Sequence, residues 1–261
     1  MKMIHSRKEA YKYLFRFLFF AILISISYYL LGKILNLSQT FFFTLGMIIG
    51  IGTFYILEHK LIHLIWKFHG NMQGAVGEED VAKFLKEKLV GNHIIANNVE
   101  KLLGFRGDVD HIIIGENSIF VIETKTHKGI ITCNGDEWQQ KKKSGRKINL
   151  YQMSPSPSKQ IRRNSVNLKK FLKENYPKLS DVYINNIIIF PNKDEEKIII
   201  KKEPNNCKVM TSLNDLIKFI YKKNIINDFS DKNKNLKITK KDISNLKDIF
   251  SKYTSNIDII E

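Results

Sequence analysis

Cysteine is almost absent from this chain. Cys133 and Cys207 are its only two, far apart and in no C-x-x-C arrangement. That excludes a disulfide framework and a zinc site, and it fits a reducing compartment. Acidic residues are also short, with 26 Asp and Glu against 42 Lys and Arg, for a formal charge of +16 over 261 residues. A balance of this sign calls for a polyanionic partner, either nucleic acid or an anionic lipid surface, and composition does not choose between them. No internal repeat is present. The length leaves room for one sizeable domain and a further segment.

Long apolar runs are present, and both lie near the N-terminus. Phe17 to Leu31 is nearly unbroken, and Thr40 to Leu57 carries no charge. Each approaches the roughly 20 residues that span a bilayer. Lys2, Arg7, Lys8, Lys12 and Arg16 precede the first run as they would a signal peptide, but no small-x-small cleavage site follows it. Neither run has the polar face of a soluble hairpin. The expectation is a basic flank and two transmembrane helices over residues 1–69, with Lys60 and Lys67 after the second run and only Lys33 between them. That distribution places both the N-terminus and the C-terminal part in the cytoplasm of a multi-pass cell-membrane protein.

The remainder is organised around Asp108 to Lys125, DVDHIIIGENSIFVIETK. Two β-branched and aromatic runs flank Gly115-Glu116-Asn117-Ser118, which predicts a hairpin with a two-residue turn at Glu116 and Asn117. Ile114 then faces Ile119, and counting outward brings Asp110 opposite Glu123. Side chains alternate along a strand, so Lys125 projects from the same face as Glu123. An isolated E-x-K in a lysine-rich chain most often lies on a solvated strand face. Here Ile112, Ile113, Ile114, Phe120, Val121 and Ile122 make the strands apolar on both faces, where unpaired carboxylates are rare. Opposed acids destabilise a sheet, and a divalent cation such as Mg²⁺, which takes oxygen ligands, would compensate them.

Upstream, GEEDVAKFLKEKL from Gly77 has Val81, Phe84, Leu85 and Leu89 at helical spacing. Glu78 shares that apolar stripe, whereas Glu79 and Asp80 favour the helix dipole. Ile94 to Val99 is a predicted strand and Leu103 to Gly107 a loop. His111 alternates to the face opposite Asp110, which makes it structural. Ile130 to Cys133 predicts a further strand, and Lys141, Lys142, Lys143, Arg146 and Lys147 a charged loop. Pro155 and Pro157 mark another loop before a helix from Gln160, whose basic side carries Arg162, Arg163, Lys169 and Lys170. Val182 to Phe190 is a β-branched strand. Ile198 to Ile200 predicts a strand, Leu213 to Tyr221 a helix, and Thr239 an N-cap before a last amphipathic helix.

From about Gly74 to Pro191 the chain resembles the NERD (nuclease-related) domain of the PD-(D/E)XK nuclease superfamily. The resemblance rests on Gly77-Glu78, on Gly107 to Asp110, on Ile122 to Lys125 followed by Gly129, on Trp138, and on Pro157 to Gln160. Ser156 stands where family members often carry Asn. The resemblance implies an α/β fold, a restriction-endonuclease-like mixed sheet of about four or five strands flanked by helices in α-β-β-β-α-β order. Residues 70–192 would form that domain and 193–261 an α/β extension. It further implies a metal-dependent nuclease with Glu78, Asp110, Glu123, Lys125 and Gln160 as catalytic residues. Mg²⁺, or Mn²⁺, would be held by Asp110, Glu123, the Thr124 carbonyl and Glu78. Nucleic acid, DNA before RNA, would meet Lys141, Lys142, Lys143, Arg162 and Arg163. The membrane and a protein partner are further expected contacts. A catalytically silent nucleic-acid-binding or scaffold module of the same fold is the alternative.

Overall fold

The computed structural model describes residues 72–100, 108–144, 147–180, 182–191, 197–229 and 238–260, with Ser27, Gly32, Lys33 and Gly46 besides. Contacts divide the chain into two units, Met1–Ala75 and Val76–Glu261. The second unit holds two mixed sheets. Helix α1 covers residues 72–88. Strands β1 (His93–Val99), β2 (Val109–Ile114) and β3 (Ile119–Thr124) follow it and pair antiparallel. Strand β7 (Ile184–Ile189) joins β3 in parallel, and β9 (Lys208–Met210) joins β7. Strand β10 (Asn256–Ile260) closes the other edge against β1, giving the order β10-β1-β2-β3-β7-β9.

The second sheet contains β4 (Ile130–Asn134), β5 (Glu137–Ser144), β6 (Lys147–Gln152) and β8 (Ile198–Lys202), in the order β6-β5-β4-β8. Three further α-helices lie among the described residues: α2 (Pro157–Asn175), α3 (Leu213–Phe229) and α4 (Lys240–Phe250). Alternation along the main strands sorts their side chains into two cores. Ile112, Ile114, Ile119 and Val121 pack with Leu168 and Phe171 of α2, Leu246 of α4, and Trp138 of the second sheet. Ile113, Phe120 and Ile122 pack with Val81 and Leu85 of α1 and Leu216 of α3. The near-continuous apolar text of β2 and β3 is thus that of strands covered on both faces.

Two expectations are corrected. The lysine run is not a loop: Lys141–Ser144 and Lys147–Leu150 are paired strand residues. Exposed strand edges tolerate lysine well, so a charge run does not by itself exclude a strand. Nor does any helix among the described residues have the length and apolarity to cross a membrane. Helix α2, for one, carries Lys159, Arg162, Arg163, Lys169, Lys170 and Lys173 in 19 residues. This overturns the expectation of a two-span membrane protein with cytoplasmic ends. The runs that prompted it, residues 17–31 and 40–57, lie outside the described residues apart from Ser27 and Gly46. The loop expected over residues 103–107 lies outside them too.

Two glycines position the site. Gly77 of α1 is buried, and a Cβ there would stand 2.1 Å from Cγ2 of Thr126, so glycine lets the helix close on the end of β3. Gly129 has φ +83°, and its Cβ would meet the backbone oxygen of Lys141 at 2.2 Å. That contact cannot relax by a rotamer change, which confines the entry to β4 to glycine.

Candidate active site

The register Ile114↔Ile119 and His111↔Ile122 continues to Asp110 opposite Glu123. Both side chains share the α2 face of the sheet and are buried, at 4% and 1% exposure. Asp110 Oδ2 accepts the backbone N–H of Thr124 at 2.9 Å, which ties β2 to the end of β3. Lys125, just beyond that end, donates from Nζ to Glu123 Oε1 at 2.5 Å and to Gln160 Oε1 at 3.3 Å. The Lys125 ammonium therefore meets the Glu123 carboxylate and the Gln160 amide of α2 in a largely dry site, with Asp110 opposite Glu123 across the strand pair. Carboxylate oxygens such as these are the ligands that a hard cation like Mg²⁺ takes.

Glu78 comes from a different element, helix α1. It is half-buried on α1, which covers the opposite face of the sheet. Among the described residues no cluster of three or more His, Cys, Asp or Glu side chains is arranged to hold a metal ion. Asp110, Glu123, Lys125 and Gln160 are brought together, and Glu78 is not shown to join them. His111 lies on the α1 side, fully buried. Asn97 Oδ1, 2.8 Å from its Nδ1, can only accept, so Nδ1 carries a proton, and Nε2 lies 3.1 Å from the Thr124 hydroxyl. This imidazole braces β1, β2 and β3 from behind the carboxylates.

The residue that sequence reasoning missed is Asp136, in the β4–β5 turn. Its Oδ1 accepts from Ser158 Oγ at 2.7 Å and Arg162 Nη1 at 2.8 Å, and its Oδ2 from Arg162 Nη2 at 2.6 Å. Ser156 Oγ donates to the Asp136 carbonyl at 2.8 Å, and Trp138 Nε1 to Ser158 Oγ at 3.2 Å. These bonds fasten the first turns of α2, where Gln160 sits, to the second sheet. Asp136 follows the dipeptide Asn134-Gly135, whose residue types favour a tight turn.

The hydrogen bonds from Arg162 and Ser158 hold the Asp136 carboxyl down at about 2. A carboxyl depressed on folding stabilises the protein above its ordinary pKa, and that contribution is lost as pH falls through the folded value. For this partly exposed pair it amounts to about 1 kcal/mol after solvent screening. Urea midpoints measured from about pH 6 down to about pH 3 should therefore fall less steeply in Asp136→Asn than in the wild type. Parallel curves would mean that the pair adds nothing.

Arg162 is thus engaged by Asp136 and by the Asn205 carbonyl at 3.1 Å, whereas Arg163 is exposed. Lys141, Lys142 and Lys143 are exposed on β5. Both cysteines are free. Burial pushes the Cys133 thiol up to about 12 and that of Cys207 up to about 11, which leaves neither as a nucleophile.

Comparison with curated proteins and with solved structures finds no match. The stretch that contains β1 to β7 does match a known family. Residues 73–191, which hold the buried carboxyl pair, Lys125 and Gln160, match the model of NERD, the nuclease-related domain.

Proposed function

We propose that the unit from Val76 onward is a metal-dependent nuclease of the PD-(D/E)XK type, hydrolysing phosphodiester bonds of nucleic acid, DNA before RNA. One observation carries the reading: two buried carboxylates face each other across β2 and β3, with Lys125 and Gln160 set against them. A binding module has no use for such an arrangement, which is costly to bury. Asp110, Glu123 and the Thr124 carbonyl would hold Mg²⁺ or Mn²⁺, and Glu78 would contribute through water. When bound, the ion supplies Lewis-acid polarisation of the phosphodiester and a more acidic water. Lys125 stabilises charge developing on the phosphoryl oxygens and orients the attacking water. Gln160 positions the ammonium from α2. His111 fixes the strand ends and takes no part in proton transfer.

The test needs no knowledge of the natural substrate. A ligand that binds only the folded state stabilises it by about 2.7 kcal/mol at a hundredfold excess over Kd. Wild-type protein should gain thermal stability with Mg²⁺ or Mn²⁺ and cleave DNA only in their presence. Asp110→Asn keeps an oxygen for the Thr124 N–H, so it should fold normally, lose most of the metal response and lose cleavage. If Asp110→Asn responds to metal as the wild type does, the acids are structural. Binding without cleavage in the wild type would make the domain a silent binding module instead.

A further inference from the structure

The β5–β6 hairpin carries a pattern that the active site does not use. β4 pairs with β5 only as far as Ile130↔Lys141. Beyond it the pairs Lys142↔Asn149, Lys143↔Ile148 and Ser144↔Lys147 form, among the described residues, a ribbon of two strands alone. Opposite residues share a face, so Lys141 and Lys143 lie on one side with Ile148 and Leu150. Lys142 and Lys147 lie on the other side with Tyr151. All four lysines are exposed, as are Ile148 at 62% and Leu150 at 64%. No Asp or Glu stands between Trp138 and Gln152.

We infer that this ribbon is a DNA-binding arm that enters the major groove of duplex DNA, with lysines on both of its faces meeting the phosphates of the two groove walls. The inference rests on the nucleic-acid reading above and adds the form of the partner. A flat partner, whether protein or lipid, can be met by only one face of a ribbon and leaves the other pair of lysines unused. A groove presents negative charge on two sides. Three residue pairs reach about 10 Å, enough for a groove about 8.5 Å deep and about 12 Å wide, which admits a two-stranded ribbon. The major groove of A-form RNA is too narrow to admit it. A single strand would need open aromatic platforms. The aromatic ring on the ribbon, Tyr151, already lies under Lys142, whose Nζ is 5.9 Å from the ring centroid. Ile148 and Leu150 suit the apolar thymine methyls of the groove floor.

Binding is measured on the full chain without divalent metal, so that cleavage cannot interfere. The probes are one DNA duplex, its single strand, the RNA duplex of the same sequence, and vesicles containing anionic lipid. Duplex DNA should bind tightest. Each phosphate contact contributes about 0.9 to the slope of log affinity against log salt. Lys141→Gln with Lys143→Gln should flatten the slope by about 1.8, Lys142→Gln with Lys147→Gln by a similar amount, and all four together by the sum. Unchanged melting of the variants would show that the fold is intact, these side chains being exposed. Equal affinity for duplex RNA, a slope that responds to one face alone, or vesicle binding that depends on the same four lysines would overturn the proposal. The nuclease reading is judged separately: loss of cleavage in Asp110→Asn with no effect of the ribbon variants on binding sinks only the ribbon.

Discussion

Lys125→Ala is expected to lower metal-stimulated cleavage by roughly 100- to 1000-fold while raising affinity for the metal ion. The two effects have one cause. The ammonium sits 2.5 Å from Glu123 Oε1, so in the metal-free protein it holds an oxygen that a divalent ion would need. Removing it abolishes like-charge competition for that oxygen and takes a counter-charge from a carboxylate that is 1% exposed. Breaking a buried pair from one side is costly, so the metal-free variant should be less stable than the wild type by about 3 kcal/mol. Mg²⁺ or Mn²⁺ should then restore more stability than it adds to the wild type. Melting curves with and without metal, set beside cleavage rates, separate this from a structural role. A variant that loses its metal response together with its cleavage would place Lys125 in the scaffold.

The hairpin was legible in the sequence because its period is two and its turn allows one register. Once Ile114 faces Ile119, Asp110 has to face Glu123, and one slipped residue would put the two carboxylates on opposite faces of the sheet. His111 was legible for the same reason. The partners of Lys125 and Asp110 were not. Whether the ammonium lies on Glu123, and whether an Asp110 oxygen takes the Thr124 N–H, depends on where strand ends and α2 meet in space. The second sheet was hidden for a different reason. In β5 the apolar residue Trp138 is followed by Gln139, Gln140 and three lysines, so nothing marks a buried face, although Gln140 is in fact buried with its amide on the Lys128 carbonyl at 2.6 Å. Strand β6 is exposed almost throughout. Strands held by pairing rather than burial leave little hydrophobic signal to read.

The last 69 residues illustrate the same limit. An N-cap at Thr239 and the spacing of Ile243 and Leu246 announce a helix, but nothing in that text says that β10 will pair with β1 or that β9 will extend the far edge. Long-range pairing leaves no local mark. Its consequence reaches the site. Asn97 Nδ2 donates to Asn256 Oδ1 at 3.5 Å, and the same Asn97 accepts from His111, which in turn holds Thr124 between Glu123 and Lys125. The C-terminal strand thus ends a hydrogen-bonded chain that begins one residue from the carboxylates.

Asp242→Ala is accordingly expected to cost about 3 kcal/mol of stability and to lower cleavage through the fold rather than the chemistry. Asp242 completes the capping box of α4, its Oδ2 accepting from Thr239 N and Oγ1, each at 2.7 Å. The same oxygen accepts from Lys178 Nζ at 2.5 Å, and Oδ1 accepts from the Tyr176 hydroxyl, binding α4 to the segment after α2. Burial pushes this carboxyl up, but Lys178, Tyr176 and Thr239 outweigh burial and hold it well below the usual carboxylate range. Its contribution is therefore present above the ordinary carboxylate pKa and disappears only in strong acid. Alanine deletes all four bonds and leaves the Tyr176 hydroxyl without its acceptor beneath α4. For a domain of this size the melting temperature should fall by roughly 6–12 °C. Amide exchange should rise first in Asn256–Ile260 and along β1, because Phe250 and Tyr253, which pack on Phe171 at 5.4 and 5.1 Å, anchor the turn that leads into β10. Cleavage lost at the higher temperature should return on cooling, with the metal response intact. A variant that melts within about 2 °C of the wild type would show that α4 is held by its apolar face alone and that Asp242 does not couple the C-terminus to the site.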